Sequence, residues 1–198
     1  MAEKKYQYVI VGGGLAGTSA IEGIREKDKS GAILLIGKEK DMPYDRPPLS
    51  KKLWSGKKKV EDIFLHDGSF YKDSNVELAL GSNVTGLDSG KKRITTGGGD
   101  EIHYTKLLLA TGGFPRRLEI PGGDLDDICY YRTLEDYRRI RGMASEGKGA
   151  VVIGGGFIGS EIAAALSMNK LKVTMIFPEE YLVQRIFPEG LGMSIQKI

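Results

Sequence analysis

Ala150-Val-Val-Ile-Gly-Gly-Gly-Phe-Ile-Gly-Ser-Glu-Ile-Ala-Ala-Ala-Leu166, with Leu171-Lys-Val-Thr-Met-Ile-Phe-Pro-Glu-Glu180 after it, lays out strand, turn, helix and strand in thirty residues or so. The apolar run from Ala150 to Ile153 is too short for a helix and is stopped by glycine, so it reads as a buried parallel strand. Gly154-Gly-Gly-Phe-Ile-Gly159 then sets Gly-x-Gly-x-x-Gly at the strand-to-helix turn. In such a turn Gly154 allows the tight bend, Gly156 lets backbone approach a pyrophosphate, and Gly159 lets helix and strand pack closely. Ile158, Ile162 and Leu166 recur every four residues and are expected on one helical face against the sheet. Glu179 falls twenty residues past Gly159, where an acid can hold the hydroxyls of an adenosine ribose.

A glycine-rich turn alone is weak, but here the arrangement occurs twice. Tyr8-Val-Ile-Val11 leads into Gly12-Gly-Gly-Leu-Ala-Gly17, and Ala20 and Ile24 continue a helical face. Ile33-Leu-Leu-Ile36 then runs to Glu39, twenty-two residues past Gly17. The second copy starts 142 residues after the first. Two dinucleotide sites on one chain suggest a flavin nucleotide at one and a nicotinamide nucleotide at the other. The bland alternative is two structural glycine turns with no ligand.

Composition narrows the field without naming a chemistry. With 198 residues, 40% hydrophobic and 28% charged, the chain has material for one large or two small globular domains. A formal charge of +3 with no aromatic-basic cluster does not call for nucleic acid. No apolar run approaches the roughly 20 residues of a membrane span. The start, Met1 to Lys5 followed by Tyr6 to Val11, superficially resembles a signal peptide. Its apolar part is short and broken by three glycines, so a first strand and a cytoplasmic location are expected. Cys129 is the only cysteine, which excludes an internal disulfide and any Cys-x-x-Cys pair. His66 and His103 have no second ligand at metal spacing, so no metal site is expected.

Between the glycine turns the chain punctuates itself. Tyr44 to Arg46 should be extended, because a residue before proline avoids the α region. Pro47 and Pro48 suit the start of a short helix carrying Leu49, Lys51, Leu53 and Trp54. Composition alone reads Arg46 and Lys51 as solvated charges and Trp54 as core. Lys57-Lys-Lys59 reads as a solvated turn, with a docking patch for an acidic partner as the sharper alternative. Val76 to Leu80 is a short strand, and Arg93 to Thr96 pairs with Glu101 to Tyr104 across Gly97-Gly-Gly-Asp100. Lys106 to Ala110 is the next strand, so a β-meander is inserted between parallel strands. Thr111-Gly112-Gly113 closes it at the end where ligands bind in such sheets. Thr133-Leu-Glu-Asp136 opens a charged helix with a capping-box analogue.

Together, Val9 to Gly17, Pro43-Tyr-Asp-Arg-Pro-Pro-Leu-Ser-Lys51, Ala110-Thr-Gly-Gly-Phe-Pro-Arg116 and Gly154 to Glu161 resemble the FAD-dependent pyridine-nucleotide oxidoreductases. The nearest branch holds the ferredoxin and rubredoxin reductases and apoptosis-inducing factor. The resemblance covers essentially the whole chain. It implies that Gly12, Gly14, Leu15, Ala16, Gly17 and Glu39 hold the ADP half of FAD. Arg46, Lys51, Val84, Ala110, Thr111, Gly112 and Arg116 are then the other flavin-binding positions. Gly154, Gly156, Phe157, Ile158, Gly159 and Glu179 would bind NAD(H). Lys51 and Glu161 would form a catalytic pair beside the reactive edge of the flavin.

The resemblance also defines what is absent. Disulfide reductases of the wider superfamily carry a cysteine pair where this chain has Pro43 to Lys51. Electrons are therefore expected to leave the flavin directly, for an external carrier, a quinone or oxygen, and not through a protein dithiol. The expected architecture is α/β: a Rossmann-like FAD-binding domain over residues 1–122, a linker and helix over 123–148, and an incomplete NAD-binding unit over 149–198. Family members are about twice as long, so the chain is expected to be a fragment. The expected activity is hydride transfer from NAD(P)H, with NADH preferred, to FAD and then to a ferredoxin or rubredoxin, in a parent that forms a homodimer. An NADH-responsive binding protein like apoptosis-inducing factor is the alternative.

Overall fold

The computed structural model describes residues 4–197; the first part of the leader-like start, residues 1–3, lies outside them. The described chain forms two compact units. One comprises residues 4–45 with Ile63–Arg116, the other Arg46–Asp62 with residues 117–197. The loop bearing Arg46 and Lys51 thus belongs to the second unit. The expected division at 122 and 149 follows the ligands rather than compactness.

In the first unit β1 (Lys4–Val11), β2 (Ile33–Gly37), β3 (Val76–Leu80), β4 (Val84–Asp88), β5 (Arg93–Thr96) and β6 (Glu101–Leu109) build one sheet. Its order is β3-β2-β1-β6-β5-β4. The pairs β3-β2, β2-β1 and β1-β6 are parallel, while β6-β5 and β5-β4 are antiparallel. The expected meander is present, with one difference. Glu101–Tyr104 and Lys106–Leu109 are a single strand, whose first residues pair with β5 and whose length from Ile102 pairs with β1.

Period-two alternation explains the core. Val9 and Val11 face Leu34, Ile36, Ile94, Ile102 and Tyr104, while Ile10 faces Ile21, Ile33, Leu35, Tyr71 and Val76. β2 is buried on both faces, which is why it reads as unbroken Ile-Leu-Leu-Ile. Each such side chain stabilises the fold by roughly 1.5–3 kcal/mol.

α1 (Leu15–Lys27) follows β1 and buries Gly17, Thr18 and Ile21. Ala20 and Ile24, expected on the buried face, lie at its edge and are only partly covered. Arg25 closes the far end of α1 by donating to the carbonyls of Asp28, Gly31, Ser74 and Asn75. One guanidinium thereby ties the helix terminus to the chain before β2 and before β3. The six-residue α2 (Gly68–Asp73) has no signal in the pattern of apolar residues; Asp67 caps it by accepting from Phe70 N–H.

The second unit contains α3 (Leu134–Met143), β7 (Gly149–Ile153), α4 (Phe157–Met168), β8 (Lys172–Ile176) and α5 (Glu189–Gln196). The capping box at Thr133 and Asp136 is present. β7 and β8 pair in parallel as a two-stranded sheet. The expectation of a buried β7 is not met: Val151, Ile153 and Ile176 are each more than half exposed. α4 packs on one face of the pair with Ile162, Ala163, Ala165 and Leu166, and two strands leave the other face open. Ile158, also expected against the sheet, is 50% exposed because it sits in the first turn of α4, beyond the strands.

The proline-rich segment departs from expectation in two ways. Arg46 is α-helical (φ −78°, ψ −36°) despite preceding proline, since it caps a 3-10 turn at Pro47–Ser50 and its carbonyl accepts from Leu49 N–H. That turn ends at Ser50, so Lys51, Leu53 and Trp54 follow it in a run of turns instead of sharing a helix.

Candidate functional site

The first glycine turn is built by sterics. Gly12 has φ +129°, and a Cβ there would stand 2.0 Å from the Ala110 carbonyl oxygen. Only glycine fits, because β6 beside β1 brings Ala110 alongside; Ala110 N–H in turn donates to Val11 O at 2.8 Å. A Cβ on Gly17 would lie 2.1 Å from Gly12 O, so α1 closes on its own turn. Gly14 is different: nothing lies within 4 Å of where its Cβ would be. It precedes a helix with no side-chain cap and no acid in its first turn. The first amide groups of α1 have no intrahelical partner and carry the positive end of the helix dipole, next to the open space at Gly14.

The second turn repeats the positive φ, the close helix approach and the open middle glycine, but nothing lies within 4 Å of where a Cβ on Gly154 would be. Gly154 has φ +120°, Gly159 approaches Gly154 O at 2.0 Å from its would-be Cβ, and Gly156 faces open space before the equally uncapped α4. Both turns leave a cradle that a Cβ at the middle glycine would fill, with donors aimed into it. They fit the pyrophosphate of a dinucleotide.

Each turn has its acid. Glu39 follows β2, and its carboxylate accepts a short hydrogen bond from the buried Tyr44 hydroxyl. Glu179 follows β8 and pairs with Arg185 Nη2 at 2.9 Å. Of the other expected flavin positions in the first unit, Ala110 touches the glycine turn, and Thr111, Gly112 (φ +65°) and Arg116 continue from it along an exposed loop. Val84, at the start of β4, packs against the core cluster of Val9 and Val11.

In the second unit Arg46, Lys51, Phe157, Ile158 and Glu161 surround a hollow of about 450 Å³, together with Leu49, Ser50 and Tyr131. Lys51 Nζ lies 2.7 Å from Glu161 Oε2, joining two residues that the resemblance alone had paired. The same oxygen accepts from Ser50 Oγ at 2.5 Å. Arg46 Nη1 donates to Arg132 O at 2.8 Å. The Lys51 turn is itself held: Tyr131 donates to Leu49 O, its hydroxyl accepts from Trp54 Nε1 at 3.0 Å, and Trp54 packs edge-on against Tyr137. Burial is the main reason the Tyr131 phenol is pushed far above the ordinary tyrosine value. Ser50 and Tyr131 have no sequence signal as site residues. A buried serine within a proline turn and one tyrosine in a loop acquire their roles only through tertiary contacts.

Among the described residues no group of three or more His, Cys, Asp or Glu side chains could hold a metal, and no helix is long and apolar enough to cross a membrane. Cys129 is a free thiol.

Known proteins match along the whole length. The family model for pyridine nucleotide-disulphide oxidoreductases matches residues 6–198. Apoptosis-inducing factor 1, mitochondrial, of Dictyostelium discoideum is 36% identical over 96% of this chain and 39% of its own length. Rubredoxin-NAD(+) reductase of Pseudomonas putida is 37% identical over 90% of this chain and 46% of its own. A crystal structure of the covalent putidaredoxin reductase–putidaredoxin complex superposes with TM-score 0.90 at 32% identity, over 100% of this chain and 48% of that one. The chain spans about half the length of the curated relatives it matches. With both glycine turns, the Lys51–Glu161 pair and a family match over nearly every residue, the chain belongs to the pyridine nucleotide-disulphide oxidoreductase family.

Proposed function

We propose that this chain carries the nucleotide-holding parts of a flavoprotein oxidoreductase that takes a hydride from NAD(P)H onto FAD and passes electrons to a small iron–sulfur or related carrier. The observation that carries this is the duplicated cradle: Gly14 and Gly156 each face open space before an uncapped helix, with Glu39 and Glu179 beyond the following strands. Gly12 to Gly17 and Glu39 would hold the ADP half of FAD. Arg46, Lys51, Val84, Ala110, Thr111, Gly112 and Arg116 would serve the rest of it. Gly154 to Gly159, with Phe157, Ile158 and Glu179, would take NAD(H). When bound, FAD supplies a two-electron acceptor that also releases electrons singly.

The side chains of this chain then have distinct tasks. Lys51 puts an ammonium at the wall of the hollow, and Glu161 with Ser50 fixes its direction. A fixed positive charge favours added electron density nearby. Glu179 receives ribose hydroxyls and repels a 2′-phosphate, which favours NADH, although Arg185 beside it offsets part of that repulsion. A ferredoxin or rubredoxin as acceptor is supported by the names of the relatives, such as the Pseudomonas putida enzyme. The Dictyostelium discoideum relative supports a second reading, an NADH-responsive flavoprotein that acts by changing partners or oligomeric state.

FAD titrated into the purified chain and followed through gel filtration tests the first claim. Retained yellow colour, lost in Gly14→Val, supports it; no uptake of FAD or NADH overturns it. In the flavin-loaded protein, rapid reoxidation by added ferredoxin supports the reductase. A long-lived NADH-reduced complex supports the second reading.

A further inference from the structure

Val183 has a backbone that valine avoids. Its φ is +55°, in the left-handed region, where a β-branched side chain crowds the main chain. Among the described residues three other non-glycine positions share that sign, Asn75, Lys92 and Lys170, and all three are exposed. Val183 is buried, at 5% exposure. The strain has a visible counterpart. Val183 N–H donates to Gly155 O at 2.8 Å, inside the second glycine turn. Val183 O accepts from Ile186 N–H at 2.8 Å and Phe187 N–H at 3.0 Å, so the chain doubles back immediately afterwards. Phe187 then meets Phe157, the first residue of α4, edge-on at 5.7 Å. Glu179 lies four residues before this clamp and Arg185 two after it.

We propose that Val183 is a positioning residue of the nicotinamide-nucleotide site, acting through its left-handed backbone. The inference rests on the reading of the second glycine turn as that site. In a bound dinucleotide the pyrophosphate meets the glycine turn while the adenosine ribose meets the acid, so affinity depends on the separation of turn and acid. The amide of Val183 is the hydrogen bond that sets where the chain after Glu179 returns to the turn. Left-handed backbone at this position turns the amide toward Gly155 and the carbonyl toward Ile186 and Phe187 together. Strain of this kind persists where surrounding contacts over-determine it, and it concentrates at ligand clamps.

A packing role for the buried side chain makes the opposite forecast, which gives the test its edge. NADH and ADP-ribose are titrated by calorimetry into the purified chain and into Val183→Gly, Val183→Ala and Val183→Pro. Glycine keeps the backbone at no steric cost, whereas proline lacks the amide and forces φ near −65°. The expected order is V183G and V183A both within about threefold of the parent chain, with glycine the tighter of the two, and V183P weaker by about tenfold or more, with far-ultraviolet dichroism unchanged. Binding by V183G that falls as far as that of V183P, or V183P binding like the parent, overturns the proposal. Should V183P fail to fold, the order of V183G and V183A decides: glycine tighter supports the backbone role and alanine tighter refutes it. A parent chain that binds neither NADH nor ADP-ribose refutes the site itself, a result distinct from any change in the order of variants.

Discussion

Lys51 Nζ and Glu161 Oε2 stand 2.7 Å apart although 110 residues separate them in sequence. The pair is partly exposed, so its contribution to stability is small, about 0–1 kcal/mol. Its value lies in fixing a charge on the wall of the hollow. In the flavin-loaded protein, Lys51→Ala should slow flavin reduction by NADH at least about tenfold, with NADH affinity within about threefold. Stopped-flow reduction at the parent rate would remove Lys51 from the chemistry.

Two glycines two residues apart should respond differently to the same added methyl. Gly12→Ala drives a Cβ into the Ala110 carbonyl at positive φ, so destabilisation of about 3 kcal/mol or more is expected in a urea melt. Gly14→Ala meets no atom within 4 Å and should cost only about 1 kcal/mol or less while weakening FAD uptake. Equal melting of the two variants would contradict the account of the turn.

Tyr131→Phe removes a hydroxyl that both accepts from Trp54 and donates to Leu49 O. Both partners are then left without it in a buried place, and a loss of about 1–3 kcal/mol is expected. Trp54 is the only tryptophan, so its emission should shift in the variant without interference. An unchanged spectrum and melting point would show that the phenol does not hold the Lys51 turn.

Asp28 offers a pH test away from the site. Hydrogen bonds from Gly31 N–H, then Ser30 N–H, then the Tyr8 hydroxyl hold its pKa below the ordinary 3.8. A carboxyl depressed on folding stabilises the protein above its unfolded pKa, and that contribution is lost as pH falls through the folded value. The melting temperature of the parent should therefore exceed that of Asp28→Asn at pH 7 and converge with it toward pH 3 and below. A gap that stays constant across this range would rule out the linkage.

How much of this was legible beforehand depended on the range of the interaction involved. Both strand-turn-helix units, the Thr133 cap and the pairing of Arg93–Thr96 with Glu101–Tyr104 follow from short-range rules, and the structure contains each of them. Missed elements had weak local signals or depended on cover from elsewhere. α2 has six residues and no apolar period, and Arg46 turns helical before proline because the next four residues form a 3-10 turn on it.

Local order alone settled that two glycine-lined turns would start two helices, each with an acid beyond the following strand, because glycine sterics and side-chain periodicity act within a few residues. Tertiary structure decided that Ile158 and the face of Val151 and Ile153 stay open, that Ser50 shares an oxygen with Lys51, that Tyr131 braces the lysine turn, and that Val183 accepts a left-handed backbone. Burial and hydrogen-bond partners come from segments far away in the chain, and no residue carries a record of its distant neighbours.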